Sequence, residues 1–188
     1  QGRNVCLFAE GNTTFDGRTD IINPATGGLL RAAGASLVTC KIEGAYFALP
    51  RWGKGIRKGQ VQMKTAGVYS REELAGMSAG QINDILMRDL QEDAYARQGE
   101  TRIPYHGKRL AEGLEHALYR CPECSGMNTL AGADDKVTCS ACGLEALYQK
   151  DGFFRDSHPF PSIQAWTDWQ RGVMRDNALG EEEGPLAQ

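Results

Sequence analysis

The stretch that decides the fold of the second half of this chain is "CPECSGMNTLAGADDKVTCSACG", residues 121–143. It holds two Cys-x-x-Cys pairs, Cys121 with Cys124 and Cys139 with Cys142, separated by fourteen residues. Each pair presents two sulfurs to one side, and a hairpin between the pairs folds the second pair opposite the first. The spacing therefore predicts a single tetrahedral metal site with these four cysteines as ligands, inside a small ribbon over 119–155.

The metal predicted for this site is structural zinc. Four protein thiolates fill a tetrahedral shell and leave no open position for a substrate. Iron in a rubredoxin-like site is an alternative because four thiolates suit either metal, but nothing else in the sequence indicates electron transfer. Ordinary or disulfide-bonded cysteines are a second alternative, which the paired spacing and the absence of a secretion signal disfavour. Gly126 and Gly143 follow the pairs closely, where we expect turns with positive φ.

Length and composition limit the classes of protein. The 188 residues suffice for one ordinary domain plus a small module, and 41% hydrophobic residues are typical of a globular chain. The net charge of -3 argues against a nucleic-acid partner. No run of residues is apolar enough to span a bilayer, and none has a signal-peptide pattern. The chain begins with Gln1 followed almost at once by a strand-like run, so we expect further sequence upstream.

Two short apolar runs determine the predicted architecture of the first half. Residues 4–8 and 36–42 read as buried strands, in which the single cysteines Cys6 and Cys40 would be buried thiols. A short helix between them is opened by Asn23-Pro24 and ended by Gly34. Parallel strands need such a crossover, so we predict an α/β fold with a mainly parallel sheet flanked by helices.

Later segments complete the predicted organisation. Alternation over 61–65 indicates a strand near a sheet edge, and two capping boxes, Ser70 with Glu73 and Ser78 with Gln81, open helices. The second of these helices carries Ile82, Ile85, Leu86, Leu90 and Ala94 on one face. We predict a first domain over 1–98, a linker and short helix over 99–118, the ribbon over 119–155, and a terminal helix with a polar, disordered tail over 156–188.

A family resemblance covers about residues 3–98. The segment "LFAEGNTTFDG" (7–17) resembles the Phe-Pro-Glu-Gly block of the 1-acylglycerol-3-phosphate, or lysophospholipid, acyltransferase family. The next segment, "ATGGLLRAAGASLVTCKIEGAYFALPRW" (25–52), is similar to the family's helix, strand, and Gly-Tyr and Leu-Pro loop. The segment "KGIRKGQVQMKTAGVYSREEL" (54–74) is similar to its late strand and the start of its closing helix. The ribbon also resembles the C-terminal extension of some bacterial members.

The resemblance implies an acyltransferase of phospholipid biosynthesis. A fatty acyl group would move from a thioester, on acyl-CoA or acyl carrier protein, to the hydroxyl of a lysophospholipid or glycerolphosphate acceptor. The Glu-Gly block belongs to the acceptor side of the family's site, so the implied substrate-binding residues are Phe8, Glu10, Gly11, Asn12 and Thr13. It further implies contact with a membrane surface and a cytoplasmic, peripheral location on the inner face of the cell membrane.

The catalytic residues that the resemblance implies are not found in this chain. The family uses a histidine as general base and an aspartate four residues later, upstream of the Glu-Gly block. The three histidines, His106, His116 and His158, all lie downstream and precede Leu110, Arg120 and Ser162 by four residues. We therefore expect the catalytic pair upstream of Gln1, and expect the present chain alone to be inactive.

Two departures from the family's pattern concern acceptor binding. Ala9 replaces the usual proline, and Thr13 stands where the family often has an arginine that pairs with the acceptor phosphate. A hydroxyl brings no charge, so phosphate binding depends on a substitute cation. The candidates are Arg18, Lys54, Arg57 and Lys58. The basic loop over 51–58 is either a solvated loop or, beside Trp52, a site of attraction to anionic lipid headgroups.

A second hypothesis treats the chain as a binding module. The ribbon would contact a partner protein, on a degenerate acyltransferase scaffold that has no catalytic role. The acidic composition counts against nucleic acid but not against a protein partner. A third hypothesis, a relative that has lost activity, follows from Thr13. The ordered match over 3–98 favours the enzyme.

Overall fold

The protein is described by a computed structural model over residues 2–182, with helices and antiparallel strands mixed along the chain. The helices are α1 (Ala25–Ala33), α2 (Ala45–Ala48), α3 (Arg71–Ala75), α4 (Ala79–Leu90), α5 (Ala94–Thr101) and α6 (Ile163–Glu182). The strands are β1 (Leu37–Glu43), β2 (Gln62–Tyr69), β3 (Leu130–Ala133), β4 (Lys136–Cys139) and β5 (Glu145–Leu147). They form one sheet of β1 and β2 and another in the order β3-β4-β5.

The predicted mainly parallel sheet is wrong for the described part of the chain. Residues 4–8 belong to no strand, and Val5 and Phe8 are 90% and 73% exposed. The run over 36–42 does form β1, but β1 pairs antiparallel with β2, which follows it. An apolar, β-rich run indicates that a segment is extended and says nothing about which strand it meets. The pairing partner of β1 therefore depends on the fold and not on the composition of the strand.

One face of the β1–β2 sheet is apolar and open to solvent. Helix α4 packs against the opposite face. The open face carries four exposed side chains: Val38, Ile42, Met63 and Val68. Cys6 and Cys40 are exposed as well, so the prediction that they are buried thiols is wrong. Helix α4 covers one face of this two-stranded sheet, and the side chains on the other face remain accessible.

Helix α1 contains two glycines, and the structure explains one of them. Asn23 Oδ1 accepts a hydrogen bond from Ala25 N, and Gly34 ends the helix with φ 57°, as its sequence predicts. A Cβ on Gly27 would lie 2.2 Å from Ala79 O at the start of α4. Gly27 N also donates to Asn83 Oδ1 at 2.8 Å. Gly27 is therefore the point at which α1 and α4 come into close contact.

Replacing Gly27 with alanine should destabilise the protein, although alanine is the better helix former. The new methyl group would press on the backbone of α4, and overpacking of this kind costs about 1–3 kcal/mol. The neighbouring Gly28→Ala is the matched control, because its Cβ would meet nothing within 4 Å. It should stabilise the protein by about 0.5–1 kcal/mol. Urea unfolding of both variants measures the change in the free energy of unfolding. Changes of the same sign in the two variants would contradict the close contact at Gly27.

Both predicted capping boxes are confirmed. Ser70 and Ser78 each accept a hydrogen bond from the backbone of the third helical residue, whose side chain binds back to the serine N–H. Helix α4 buries Ile82, Ile85 and Leu86 as predicted, but it ends at Leu90. The expected fifth residue of that face, Ala94, instead begins α5. Helix α4 is thus one turn shorter than the apolar pattern indicates.

A buried carboxylate joins α4 to the β1–β2 sheet. Asp89 Oδ2 accepts hydrogen bonds from Thr39 Oγ1 at 2.7 Å and Tyr69 OH at 2.6 Å. Arg88 Nε donates to its other oxygen at 3.0 Å. Burial by itself raises the pKa of Asp89, but the hydrogen bonds from Tyr69, Thr39 and Arg88 outweigh burial and lower it. The carboxylate is therefore ionised at neutral pH and holds the helix to both strands.

A single hydrophobic core connects the middle and the end of the chain. Its side chains come from the loop after β1, from the region predicted as a linker, from the ribbon and from α6, for example Phe47, Trp52, Tyr105, Leu114, Val137, Tyr148 and Trp166. The helix predicted within 108–118 is reduced to one 3-10 turn, Leu114–His116. The ribbon therefore packs against the rest of the chain through shared side chains, while the domain boundaries drawn from the sequence stay a prediction.

The predicted terminal helix is present and packs on the protein. Helix α6 buries Ile163 and Trp166 completely. It continues to Glu182, beyond the segment 162–174 expected from the sequence. The rest of the predicted polar tail, 183–188, lies outside the described residues. No helix in the described part of the chain is long and apolar enough to cross a membrane.

Candidate metal centre and the Glu10 loop

The four predicted ligands come together. The sulfurs of Cys121, Cys124, Cys139 and Cys142 all lie within 4.8 Å of one another. Cys121 Sγ is 3.6 Å from Cys142 Sγ, and Cys124 Sγ is 3.7 Å from Cys139 Sγ. Zinc–sulfur bonds of about 2.3 Å in a tetrahedron place sulfurs about 3.8 Å apart. The cluster therefore has the dimensions that a tetrahedral metal ion requires.

The two Cys-x-x-Cys pairs form similar turns around this cluster. In the first, Ser125 N donates to Cys121 O, and in the second, Gly143 N donates to Cys139 O. The residue directly after each pair has positive φ, 58° at Ser125 and 77° at Gly143. The prediction of positive φ is confirmed for Gly143 and wrong for Gly126. It is Ser125 that occupies the position corresponding to Gly143.

Gly126 is required for a different reason. A Cβ there would lie 3.2 Å from Cys124 Sγ and 2.9 Å from Thr129 Oγ1. Thr129 Oγ1 in turn lies 3.3 Å from Cys139 Sγ. A side chain on Gly126 would therefore push against one ligand and against the hydroxyl next to another. The sequence correctly indicates a glycine close to the first pair of cysteines. Gly126 serves to leave space beside the sulfurs and not to adopt a positive φ.

The buried ligands of the two pairs differ in their acidity. The Thr129 hydroxyl and the backbone N–H groups of Cys142 and Ala141 lower the pKa of Cys139 to about 6. Burial raises the pKa of Cys121 to about 12. Cys139 is thus the readier thiolate, and Cys121 is the ligand that holds its proton more strongly. A metal must displace that proton, so metal binding to this cluster releases protons and strengthens as the pH rises.

The residues of the implied acceptor site form a turn at the start of the Glu10 loop, which we define as residues 8–20. Gly11 N donates to Phe8 O at 3.0 Å, and Gly11 has φ 66°. Glu10 Oε2 accepts a hydrogen bond from Asp20 N at 2.9 Å. Thr13 N donates to the side chain of Asn12. The five residues named from the resemblance are thus brought together, and one carboxylate oxygen of Glu10 closes the loop.

The rest of the protein holds this loop from several sides. Tyr46, which is half-buried and packs against the core, donates its hydroxyl proton to Phe15 O at 3.0 Å. Asp16 is buried, and its carboxylate accepts hydrogen bonds from Thr14 and from Arg171 in α6. The sequence offered no signal for Asp16, because a single aspartate in a polar loop reads as a surface charge. Its burial becomes visible only with α6 in place.

Arg51 is the cation that the sequence analysis did not single out. Its Nη1 donates to Thr13 O at 2.9 Å, and its guanidinium lies 4.4 Å from the centre of the Phe15 ring. It follows Pro50 in the loop that resembles the family's Leu-Pro segment. The contact places a positive charge beside Thr13, which stands where the family often has an arginine. Only the folded chain reveals it, since 38 positions separate the two residues.

The cations proposed as substitutes are mostly engaged elsewhere. Arg18 pairs with Asp168, and Lys54 pairs with Glu112. Arg57 is 7% exposed and lies over the rings of Trp52 and Tyr148. Trp52 itself is 2% exposed, so it is not available for the lipid contact that was one of the two alternatives for this loop. The apolar part of the basic loop is used for packing.

The three histidines show no catalytic arrangement. His106, His116 and His158 are all exposed, at widely separated points of the chain. None is part of the Glu10 loop. In the described part of the chain, no histidine side chain is hydrogen-bonded to a residue of this loop.

Comparison with protein-family models, curated proteins and solved structures found no match. The geometry of the two sites, and the resemblance in sequence, are accordingly the basis for a functional assignment.

Proposed function

We propose that this chain is the acceptor-binding part of an acyltransferase that moves a fatty acyl group from a thioester to a lysophospholipid or glycerolphosphate hydroxyl. The observation that supports this most directly is the order of elements. The resemblance implies a Glu-Gly block, a helix, a strand, a loop, a late strand and the start of a helix. The chain has the Glu10 loop, α1, β1, the loop with α2, β2 and α3 in that order.

The Glu10 loop is chemically suited to hold a polar acceptor. Gly11 lies in its turn, Phe8 and residues 11–13 are exposed, and the Arg51 guanidinium donates to Thr13 O, three residues after the half-buried Glu10. A carboxylate accepts hydrogen bonds from glycerol hydroxyls, and a guanidinium pairs with phosphate in a bidentate manner. In this proposal Arg51 takes the role for which the sequence offered Arg18, Lys54, Arg57 and Lys58. The donor, acyl-CoA or acyl carrier protein, binds elsewhere.

We propose that the four cysteines hold zinc and that the metal is structural. Four thiolates at tetrahedral spacing leave no coordination position for a substrate. The acyltransferase chemistry proposed for this chain needs no redox metal, which favours zinc over iron. The proposed setting is the cytoplasmic face of the cell membrane, as a peripheral protein, because the acceptor is a lipid.

Substitution of Glu10 tests the acceptor site. In the longer enzyme that we expect, Glu10→Ala should raise the KM for the acceptor by about tenfold, a loss typical of one hydrogen bond to a charged group, and leave the KM for the thioester unchanged. Glu10→Gln is the matched control, since its amide oxygen can still accept the hydrogen bond from Asp20 N. It should restore loop closure and recover only part of the acceptor affinity.

The two variants separate a substrate role from a structural one. Thioester consumption measured with a panel of lysophospholipids provides both KM values. A Glu10→Gln enzyme equal to wild type, beside an impaired Glu10→Ala enzyme, would assign Glu10 to loop closure alone. No consumption of thioester with any acceptor would instead favour the second hypothesis, a zinc-ribbon interaction module on a degenerate scaffold.

A further inference from the structure

The segment that leads into the first metal ligand is held by side chains of α6. Gln170 Nε2 donates to Ala117 O at 2.7 Å, and Tyr119 N donates to Gln170 Oε1 at 3.2 Å. Trp166 Nε1 donates to Arg120 O at 3.0 Å, directly before Cys121. Gln170 and Trp166 are fully buried. Both polar ends of a buried amide are satisfied by this one backbone segment, so α6 and the segment are fixed to each other.

The same stretch of α6 holds the Glu10 loop. Asp168 accepts two hydrogen bonds from Arg18, at 2.7 and 2.8 Å, and Arg171 donates to Asp16 Oδ2 at 2.8 Å. The pair of Arg18 and Asp168 is partly exposed and contributes modestly. Asp16 is 5% exposed, so its charge depends on the partners that surround it. Asp168 and Arg171 alternate along the helix with Trp166 and Gln170.

We propose that the metal centre sets the conformation of the Glu10 loop through α6. Metal binding fixes Cys121 and the segment 117–120, the segment fixes α6 through Trp166 and Gln170, and α6 fixes the loop through Asp168 and Arg171. The ribbon then has a positioning role for the loop that carries the implied acceptor residues. The coupling between the metal site and the loop does not depend on whether the protein is an acyltransferase. Only the idea that it regulates an enzyme rests on the proposed function.

The physical basis is the cost of separating Asp16 from its partner. If α6 shifts when the metal is lost, Arg171 leaves a carboxylate that is largely out of water. Asp16 then keeps only the hydrogen bonds from Thr14 Oγ1 and Arg18 N, and we expect the loop to open, because a buried carboxylate without its ion-pair partner is unfavourable and hydration relieves it. Two discrete arrangements of the loop therefore follow from two states of the metal site. Such a coupling typically changes an equilibrium by roughly 5–150-fold.

Amide hydrogen exchange tests the coupling without an activity assay. We compare the zinc-loaded chain with the chain after chelation, and follow peptides from residues 8–20 and from α4 as the reference. We expect exchange in the Glu10 loop to rise on the order of tenfold on chelation while α4 stays protected. An equal rise in exchange in α4 would mean global unfolding and would overturn the proposal. It would also be overturned if chelation raised exchange in the ribbon and left exchange in the Glu10 loop unchanged.

Two variants complete the test. The double variant Asp168→Asn with Arg171→Gln should raise loop exchange to the chelated level while the chain keeps one metal ion, and chelation should then add little. Asp176→Asn is the matched control on the same helix, because Asp176 is exposed and, among the described residues, its one ion pair is with the adjacent Arg175. It should behave as wild type. A double variant whose loop still responds fully to chelation would overturn the path through α6.

These outcomes are independent of the proposed enzyme activity. If thioester consumption is absent but the loop responds to the metal as described, the coupling stands and the acyltransferase proposal fails. If thioester is consumed but exchange in the loop does not change on chelation, the acyltransferase proposal stands and the coupling fails.

Discussion

Removing the metal from the four-cysteine site should unfold the ribbon and lower the melting temperature of the chain by about 20 °C or more. Structural zinc sites bind with roughly 10–16 kcal/mol at neutral pH, and in small metal-bound folds that binding energy is folding energy. The effect should extend beyond the ribbon, because Cys121 and Cys139 are buried in the core shared with Trp52 and Trp166. Elemental analysis should find one zinc per chain.

Serine substitutions check this expectation with internal controls. Replacement of all four ligand cysteines should reproduce the effect of a chelator on the thermal melt. Cys6→Ser and Cys40→Ser should change neither the metal content nor the melting temperature, since both residues are exposed and lie outside the cluster. A chain without bound metal, or a four-serine variant that melts like wild type, would contradict the metal site.

The pH dependence of metal binding follows from the two buried thiols. Hydrogen bonds from Thr129 and the backbone lower the pKa of Cys139, and burial raises the pKa of Cys121, so a metal ion that binds all four sulfurs must displace the proton of Cys121. Affinity should therefore rise with pH across the neutral range and fall on acidification.

The second large effect follows from the proposed function: if that proposal holds, the 188-residue chain should not consume acyl thioester, whereas a protein that also carries the expected histidine and aspartate should. A lysophospholipid hydroxyl is a poor nucleophile at neutral pH and needs a positioned base. General-base assistance is worth about 10²–10⁴-fold, and a separate part of the pocket must orient the thioester. His106, His116 and His158 are all exposed, and none precedes an aspartate by four residues as the implied catalytic pair requires.

The assay compares both proteins on the same panel of lysophospholipids and thioesters. Restoring the upstream histidine and aspartate that we expect should restore turnover, and replacing that histidine with alanine should abolish it again. Robust turnover by residues 1–188 alone would overturn the expectation that the base lies upstream.

Local signals in the sequence predicted local structure well. The two serine capping boxes, the end of α1 at Gly34 and the convergence of the four cysteines all depend on residues close together in the chain, or on ligands whose spacing closes one hairpin. In such cases the residues that form the recognisable sequence pattern are also the residues that interact in the structure. The prediction therefore does not depend on which distant segments come together. The helix starts and the candidate metal site could therefore be inferred before the fold.

Only the tertiary structure decided which distant segments meet. Strand β1 pairs with β2 and not with residues 4–8, Gly27 serves a contact with α4, and Trp52 and Arg57 are buried instead of facing a membrane. The engagement of Asp16 and Arg18 by α6 likewise joins residues about 150 positions apart. Hydrophobicity and charge indicate that a side chain needs a partner, but many partners satisfy the same need. Packing of the whole chain selects among them, because burial and charge pairing are properties of the assembled core.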